Sequence, residues 1–357
     1  MAQLHEYECP KCGGGLVFDP SIQMLRCPYC ESHYSIEEVQ SVDESLDNPG
    51  EEQNAPDNYA DSSESADGLM SYLCKSCGGE IIGTATLAAS SCPFCGNPVV
   101  MMGQFSGNLK PDYVIPFKLD KNAAKDALRK HLEGKKLLPK VFKDENHIDE
   151  IKGIYVPFWF YDTVADADLS FDAFKTKTYD DDEYTYRDVT KFSLLRKGRI
   201  TFENVPVDAS ESVDNTLMES IEPFDFFDAV DFHTGYLAGY FADKFDVKAA
   251  ECLKRAYERI DNSTVSAFQN LLGDFEDVSV SKSDVSLNGT KAKYALCPVW
   301  LLNTSWKGER FTFAMNGQTG RFVGNLPVDR GALKKHFFAI VATAAVIVYL
   351  FLTFFLS

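Results

Sequence analysis

Eight of the ten cysteines in the chain fall into two sets with the same spacing. Each set reads C-x2-C-x14-C-x2-C, and each cysteine of the second set follows its counterpart by 65 residues. Two thiolates separated by two residues converge on one side of a tight turn, and a second pair completes a tetrahedral shell of four sulphurs around one Zn²⁺ ion. The predicted ligands of two structural zinc sites are Cys9, Cys12, Cys27, Cys30, Cys74, Cys77, Cys92 and Cys95.

The alternatives for these cysteines are disulfides and an iron–sulfur cluster. Paired CxxC turns at this spacing favour zinc, and a reducing cytoplasm disfavours disulfides. Four cysteines per ion leave no open coordination position, so the predicted sites are structural and not catalytic. The remaining two, Cys252 and Cys297, have no partner by pattern and are predicted to be buried core thiols.

Small β-hairpins must position these ligands. Short apolar runs lie at 16–18 and 80–82, and a glycine follows the second cysteine of three turns, where a positive φ is expected. The equal spacing indicates a duplicated module. We predict zinc ribbon 1 at 1–36, an acidic disordered linker at 37–68, zinc ribbon 2 at 69–98, a central domain at 99–330 and a transmembrane helix at 337–356.

The linker explains most of the acidity of the chain. The formal net charge is -18, from 53 acidic and 35 basic residues. Residues 37–67 contain eleven acidic residues and no Lys or Arg, a composition typical of a solvated spacer. The negative charge argues against a surface that binds nucleic acid throughout. Tyr29 and Phe94, next to the last ligand of each set, could stack on bases or cover an apolar surface.

The stretch from Phe337 to Leu356 consists of 20 residues without a charge or a proline. As a helix it would be about 30 Å long, which matches the hydrocarbon thickness of a bilayer. Arg330, Lys334 and Lys335 precede it, so the positive-inside rule places the rest of the chain in the cytoplasm. We predict a tail-anchored, single-pass protein of the cell membrane without a signal peptide.

The central domain is predicted to be α+β. Helices are expected at 121–133 and about 246–272, and strands at 154–161, 166–176, 184–195, 199–203, 276–288, 292–302, 308–315 and 320–323. The similar segments YVPFWFYD and LCPVWLLN suggest related strands, each with its proline at a strand start or edge. A tight turn is expected at 316–320.

Lys110 to Lys143 is locally basic, with ten Lys or Arg against four acids. It is either a solvated helix face or a contact for anionic lipid. No phosphate loop, HExxH or GxSxG motif occurs, so no enzyme is predicted. The acidic run 180–183 is predicted to be a hairpin loop and not a calcium site, and His233 a packed core histidine.

Several segments resemble the YdjG-like group of bacterial membrane-anchored tandem zinc-ribbon proteins, among them YECPKCGGGLVFDP, CPYCESHYSIEEV, SYLCKSCGGEIIG, SSCPFCGNPVV and FAMNGQTGRFVGNLPVD. Similar chains often carry labels of TFIIB-type zinc ribbons or PriA-like helicases, although this chain lacks the phosphate loop of a helicase motor. The resemblance implies a membrane anchor in a stress-related complex with SPFH-domain and TPM-domain proteins.

We therefore expect a non-enzymatic zinc-ribbon scaffold, in which protein–protein interactions recruit SPFH- and TPM-type partners to the inner face of the membrane. Nucleic acid and small-molecule substrates are not expected partners. The alternative is a membrane-tethered nucleic-acid-binding protein associated with replication or transcription, based on the ribbons and the basic stretch.

Overall fold

The computed structural model describes residues 4–5, 7–39, 69–73, 80–84, 87–91, 98–101, 110–144 and 148–355. They form a mixed α+β protein, which confirms the predicted fold class at this level. The helices are α1 (Lys121–Leu132), α2 (Asn215–Ser220), α3 (Ala249–Asn270) and α4 (Arg330–Phe355).

The strands before the central domain are β1 (Leu4–His5), β2 (Val17–Asp19), β3 (Met24–Arg26), β4 (His33–Tyr34), β5 (Leu69–Leu73), β6 (Glu80–Thr84), β7 (Leu87–Ser91) and β8 (Pro98–Met101). Those that follow are β9 (Tyr113–Val114), β10 (Lys152–Asp180), β11 (Thr185–Asp208), β12 (Val230–Asp231), β13 (Phe241–Asp243), β14 (Glu276–Trp306), β15 (Glu309–Asn316) and β16 (Phe322–Gly324).

The centre of the fold is the antiparallel pair of β10 and β14, two strands of 29 and 31 residues. The prediction of separate shorter strands was wrong here. At the expected break near 162–165, β10 continues between two β-bulges, one in β11 near Asn204 and one in β14 near Gly289, and pairing resumes beyond both. A bulge bends a strand without ending it, which local sequence cannot distinguish from a loop.

Both prolines of the similar segments lie inside these long strands, so the prediction of strand starts was wrong. Tyr155 pairs with Pro298 and Pro157 pairs with Leu296, so the two segments face each other. On its outer side, each proline lies one residue beyond the last pair of a neighbouring strand, β11 or β15. Since no strand pairs with the proline on that side, the missing N–H of proline removes no hydrogen bond between strands.

The two halves of the central domain share a plan. KLDKNAAKDALR at 118–129 and KFDVKAAECLKR at 244–255 are identical at five of twelve positions. In the first half β9 precedes α1, β10 and β11, and in the second half β13 precedes α3, β14 and β15. The short strand of each half runs parallel to the long strand of the other. This exchange ties the halves into one sheet.

Beyond the two bulges, β11, β10 and β14 continue as a three-stranded arm, covered on one face by α3. Every fourth residue of α3 is buried: Cys252, Ala256, Ile260, Thr264 and Phe268. The other face carries cross-strand ion pairs, including Lys197 with Asp168 and Arg199 with Asp166. A tight turn at 181–184 closes the arm, which confirms the predicted hairpin loop.

The predicted helices at 121–133 and 246–272 and the turn after Asn316 are confirmed. Asp120 caps α1 by accepting a hydrogen bond from the N–H of Ala123, at 2.8 Å. Cys252 and Cys297 are buried, as predicted. The prediction that His233 is a packed core histidine was wrong. This side chain is half-buried, and its Nδ1 accepts a hydrogen bond from the N–H of Gly235 and caps a short helical turn.

Candidate metal centre

The first pair of cysteines is held by backbone hydrogen bonds in a tight turn. The N–H of Cys9 donates to the carbonyl of Gly14 at 2.7 Å, and the N–H of Gly13 donates to the carbonyl of Cys9 at 2.8 Å. Gly13 has a φ of +71°, a conformation that costs an L-residue about 1–2 kcal/mol. The predicted positive φ at this glycine is confirmed.

The second pair adopts the same turn with different residues. The N–H of Cys27 donates to the carbonyl of Ser32 at 2.9 Å, and the N–H of Glu31 donates to the carbonyl of Cys27 at 3.0 Å. Glu31 takes the place of Gly13 and has a φ of +57°. Strand β3 enters this turn and β4 leaves it, while β2 pairs with β3 between the two turns. The predicted hairpin at 16–18 is therefore confirmed.

These two turns bring four sulphurs together. The four Sγ atoms lie within 4.8 Å of one another, with Cys9 and Cys30 at 3.6 Å and Cys12 and Cys27 at 3.4 Å. These separations are too long for a disulfide, whose S–S bond is about 2.05 Å. An ion bonded to four thiolates at about 2.3 Å holds the sulphurs about 3.8 Å apart. The cluster could therefore hold one metal ion.

Two hydroxyl groups lie against the sulphurs. The Tyr34 hydroxyl is 3.5 Å from the Sγ of Cys9, and the Ser32 hydroxyl is 3.3 Å from the Sγ of Cys30. Burial raises the pKa of the Cys9 thiol, but the hydrogen bonds of Tyr34 and of nearby backbone N–H groups outweigh it and lower the pKa to about 6. The two Ser32 hydrogen bonds, from the side chain and then the backbone, lower the pKa of Cys30.

Cys12 behaves in the opposite way. The backbone N–H of Gly14 favours its thiolate, but the neighbouring thiols, Cys27 first, raise the pKa of Cys12 above its ordinary value. The thiols therefore share their protons unevenly, because several thiolates cannot lie this close without a compensating cation. A divalent ion would supply that charge and release the protons.

The cluster is packed onto the central domain. Cys9 and Cys27 are buried, together with Leu16, Phe18 and Leu25, in the same apolar core as Phe117 and Trp300 of the central domain. The N–H of Phe18 donates to the carbonyl of Ala238 at 2.9 Å. The Tyr7 hydroxyl contacts that of Thr234. The ribbon and the central domain thus share one core.

Comparison with known proteins places the chain in a family. It is 31% identical over 331 residues to a protein of Bacillus subtilis (strain 168) named "Uncharacterized protein YdjG". The match covers 93% of this chain and 92% of the relative. The chain belongs to the YdjG family. No family model and no solved structure matches it. The name of the YdjG relative states no activity or ligand.

The second predicted set of ligands in this YdjG-family chain (Cys74, Cys77, Cys92 and Cys95) lies outside the described residues. The strands on either side of these cysteines are described. β5 pairs with β6 around the first pair, and β7 pairs with β8 around the second. The run at 80–82 thus pairs with the strand before it, whereas a hairpin between the two pairs of cysteines was expected.

The two modules are connected through the main sheet. β1, which precedes the first set of cysteines, pairs with β8, which follows the second set, and β7 pairs with β13 of the central domain. The sequence of this YdjG-family member gave no indication of these pairings. It also gave no sign of Ser32 and Tyr34 as sulphur-contacting residues, although both follow closely after the last ligand, in CESHY.

The only candidate for a membrane span among the described residues is α4. The 24-residue segment Arg330–Thr353 contains an 18-residue stretch that has a mean hydropathy of 2.2 and is not buried inside the protein. It is long and apolar enough to cross a bilayer. The helix begins seven residues before the predicted span and therefore includes the basic residues in front of it.

Proposed function

We propose that this YdjG-family protein is a non-enzymatic, membrane-anchored zinc-ribbon adaptor that recruits cytoplasmic proteins to the inner face of the membrane. One observation carries the proposal: a cluster of four cysteine thiols, closed around one ion position, shares a chain with a helix apolar enough to cross a bilayer. A closed metal site offers structure and no open position for substrate.

The metal we propose is zinc. Soft thiolate ligands in a tetrahedral set of four favour Zn²⁺, which has no redox chemistry of its own. When bound, the ion would fix the two turns relative to each other and stabilise a fold too small to form a large core alone. Cys9, Cys12, Cys27 and Cys30 would hold it. The second set of cysteines, proposed to hold a second zinc ion, follows from sequence spacing.

We propose α4 as the membrane anchor. Its apolar side chains are exposed, for example Phe338 at 67% and Ile347 at 66%. So long an exposed apolar surface would be costly in water but fits lipid. Arg330, Lys334 and Lys335, at the start of the helix, favour a cytoplasmic location for the soluble part.

The recruiting surface that we propose on the first ribbon centres on Tyr29. This side chain is 69% exposed, and one edge of its ring covers Gly14 at the first turn. Ile22, at the tip of the β2–β3 hairpin, is 45% exposed. Tyrosine is enriched at protein interfaces because it buries a large area and loses little conformational freedom. From the family resemblance, the proposed partners are SPFH-domain and TPM-domain proteins.

The test is affinity purification of the tagged full-length chain from membranes, followed by mass spectrometry. We expect Cys12→Ser and Tyr29→Ala to reduce the recovery of these partners at least tenfold. Tyr184→Ala is the matched control, because this tyrosine is 63% exposed at the tip of the arm. Cys74→Ser combined with Cys77→Ser tests the second set. Full recovery of partners with every one of these ribbon variants would refute recruitment by the ribbons.

The nucleic-acid alternative has weaker support. Several basic residues of 110–143 are already ion-paired: Lys118 with Asp228, Lys125 with Asp149 and Arg129 with Asp126. Phosphate binding relies on cations that are available to replace counterions. A salt-titrated binding assay of the full-length chain in neutral detergent distinguishes the two proposals. Affinity for nucleic acid that falls steeply with salt would favour the alternative over the adaptor.

A further inference from the structure

The last turn of α1 and the connection that follows it form the most basic stretch of this acidic protein. Residues 129–143 contain six Lys or Arg and one acid, Glu133, although the chain as a whole has a net charge of -18. Lys130 and Lys136 are exposed, and Lys135 is half-buried beside them. The pKa of His131 is lowered by burial and by the positive charge of Lys135, so this side chain adds no charge near neutral pH.

This connection is held firmly to the body of the protein. Leu138 is 8% exposed and Phe142 only 2%, and both belong to the main core. The Phe142 ring meets the ring of Phe311 edge-on, with 5.6 Å between centroids. The position of the basic residues is therefore set by the fold and not by a free loop.

The same connection is joined to the start of the apolar helix. The N–H of Asp329 donates to the carbonyl of Leu137 at 2.8 Å. Asp329 also caps α4, since its Oδ1 accepts a hydrogen bond from the N–H of Gly331 at 2.8 Å. The exposed residues Arg330, Lys334 and Lys335 follow directly. Two basic stretches almost 200 residues apart in sequence thus meet where the helix leaves the domain.

The distance to the bilayer follows from the helical rise. Phe337, where the apolar stretch begins, lies eight positions after Asp329, which corresponds to about 12 Å along the axis. The headgroup layer is about 5–8 Å thick on each side of the hydrocarbon core. The connection therefore lies within about one Debye length, roughly 8 Å, of the headgroups, and tilting of the helix brings one side closer.

We propose that Lys130 and Lys136, together with Arg330, Lys334 and Lys335, bind the headgroups of anionic phospholipids in the leaflet that α4 enters. The inference rests on the anchor role of α4 in the proposed function. Charge complementarity favours this occupant, because a cationic cluster beside a bilayer faces the negative surface potential of the cytoplasmic leaflet. Each Lys or Arg near such a surface contributes about 1 kcal/mol.

Native mass spectrometry of the full-length chain in neutral detergent tests this proposal, because it counts bound lipid molecules and metal ions in the same spectrum. The probes are phosphatidylglycerol, phosphatidylcholine and inorganic phosphate. The test variant is Lys130→Gln combined with Lys136→Gln, which leaves the residues in front of the helix, and hence its orientation, unchanged. The control is Lys254→Gln combined with Lys282→Gln, two exposed lysines on α3 and β14.

We expect the wild type to prefer phosphatidylglycerol to phosphatidylcholine. The test variant should bind phosphatidylglycerol about 30-fold more weakly than the wild type does, because it lacks two charges that each contribute about 1 kcal/mol to binding. The control variant should bind as the wild type does, and unchanged metal content shows that the ribbon is folded.

Equal affinity for the two lipids would overturn the proposal. So would an equal loss in both variants, or inorganic phosphate binding as tightly as the lipid. Extraction of the protein from cell membranes by alkaline carbonate would instead show that α4 is not a membrane anchor. This measurement therefore distinguishes a wrong anchor assignment from a wrong lipid-binding proposal.

Discussion

Because the first ribbon shares its core with the central domain, loss of the metal ion proposed to bind there should destabilise both. The perturbation is Cys12→Ser. Cys12 is exposed, and the substitution replaces one sulphur with oxygen without removing packed volume. Its direct cost should be within about 0.5 kcal/mol, as for ordinary surface changes. Any larger effect must come through the metal.

The expected magnitude follows from ligand linkage. With free zinc at 1,000 times its dissociation constant, the bound ion stabilises the folded state by about 4 kcal/mol. The ribbon core can transmit this energy, because Leu16, Phe18 and Leu25 are each at most 3% exposed, and burial of such side chains contributes about 1.5–3 kcal/mol each. For a domain of this size, about 4 kcal/mol corresponds to a decrease in Tm of roughly 8–16 °C.

The assay is thermal unfolding of the full-length chain in detergent, followed by tryptophan fluorescence. All three tryptophans, Trp159, Trp300 and Trp306, belong to the central domain and not to the ribbon. Metal content is measured on the same samples and should fall by one ion per chain in the variant. In excess chelator, wild type and variant should unfold at the same temperature, since neither retains the ion.

Two results would refute this reasoning. If the variant loses one metal ion while the tryptophan transition stays in place, the ribbon and the central domain unfold independently and the shared core does not couple them. If the difference in Tm persists in chelator, the cysteine acts through packing and not through a metal.

The remaining predictions concern the turns, the buried carboxylate of Asp208 and the half-buried carboxylate of Asp243. Gly13→Ala should destabilise the protein by about 1–2 kcal/mol in chemical denaturation, whereas Glu31→Gly at the equivalent position should be neutral or stabilise it by up to about 1 kcal/mol. Arg255→Met should cost about 3–5 kcal/mol in the same assay, because Arg255 donates at 2.7 Å to Asp208, which is 1% exposed. Burial raises the pKa of Asp243 to about 6, so the stability it contributes is present below its usual pKa near 3.8 and is lost as the pH rises through about 6. Asp243→Asn should therefore be more stable than the wild type at pH 7.5 but not at pH 4, with unfolding midpoints measured at both.

The features that could be predicted from the sequence are those in which neighbouring residues carry the signal. The positive φ at Gly13 and the helices at 121–133 and 246–272 depend on contacts within a few residues. Pattern and spacing therefore suffice for them.

The errors occurred where a distant strand decides the outcome. Pro157 and Pro298 are normally poor residues for the interior of a strand. They are accommodated because the neighbouring strand on one side ends beside each of them, which depends on β11 and β15. The segment around Asp162 looked like a loop for the same reason, since only its pairing with β11 and β14 shows that the strand continues.

By itself, the sequence determined the chemistry of this protein: four thiols at metal-ligand spacing, their repetition, and one helix without a charge over 20 residues. Ligand spacing and hydropathy are local quantities. Only the tertiary structure decided that the first ribbon is packed on the central domain, through contacts such as Phe18 with Ala238, and that the basic connection meets the apolar helix, through Leu137 and Asp329. Those contacts join residues about 190–220 positions apart, and they form because one shared core buries more apolar surface than separate pieces could.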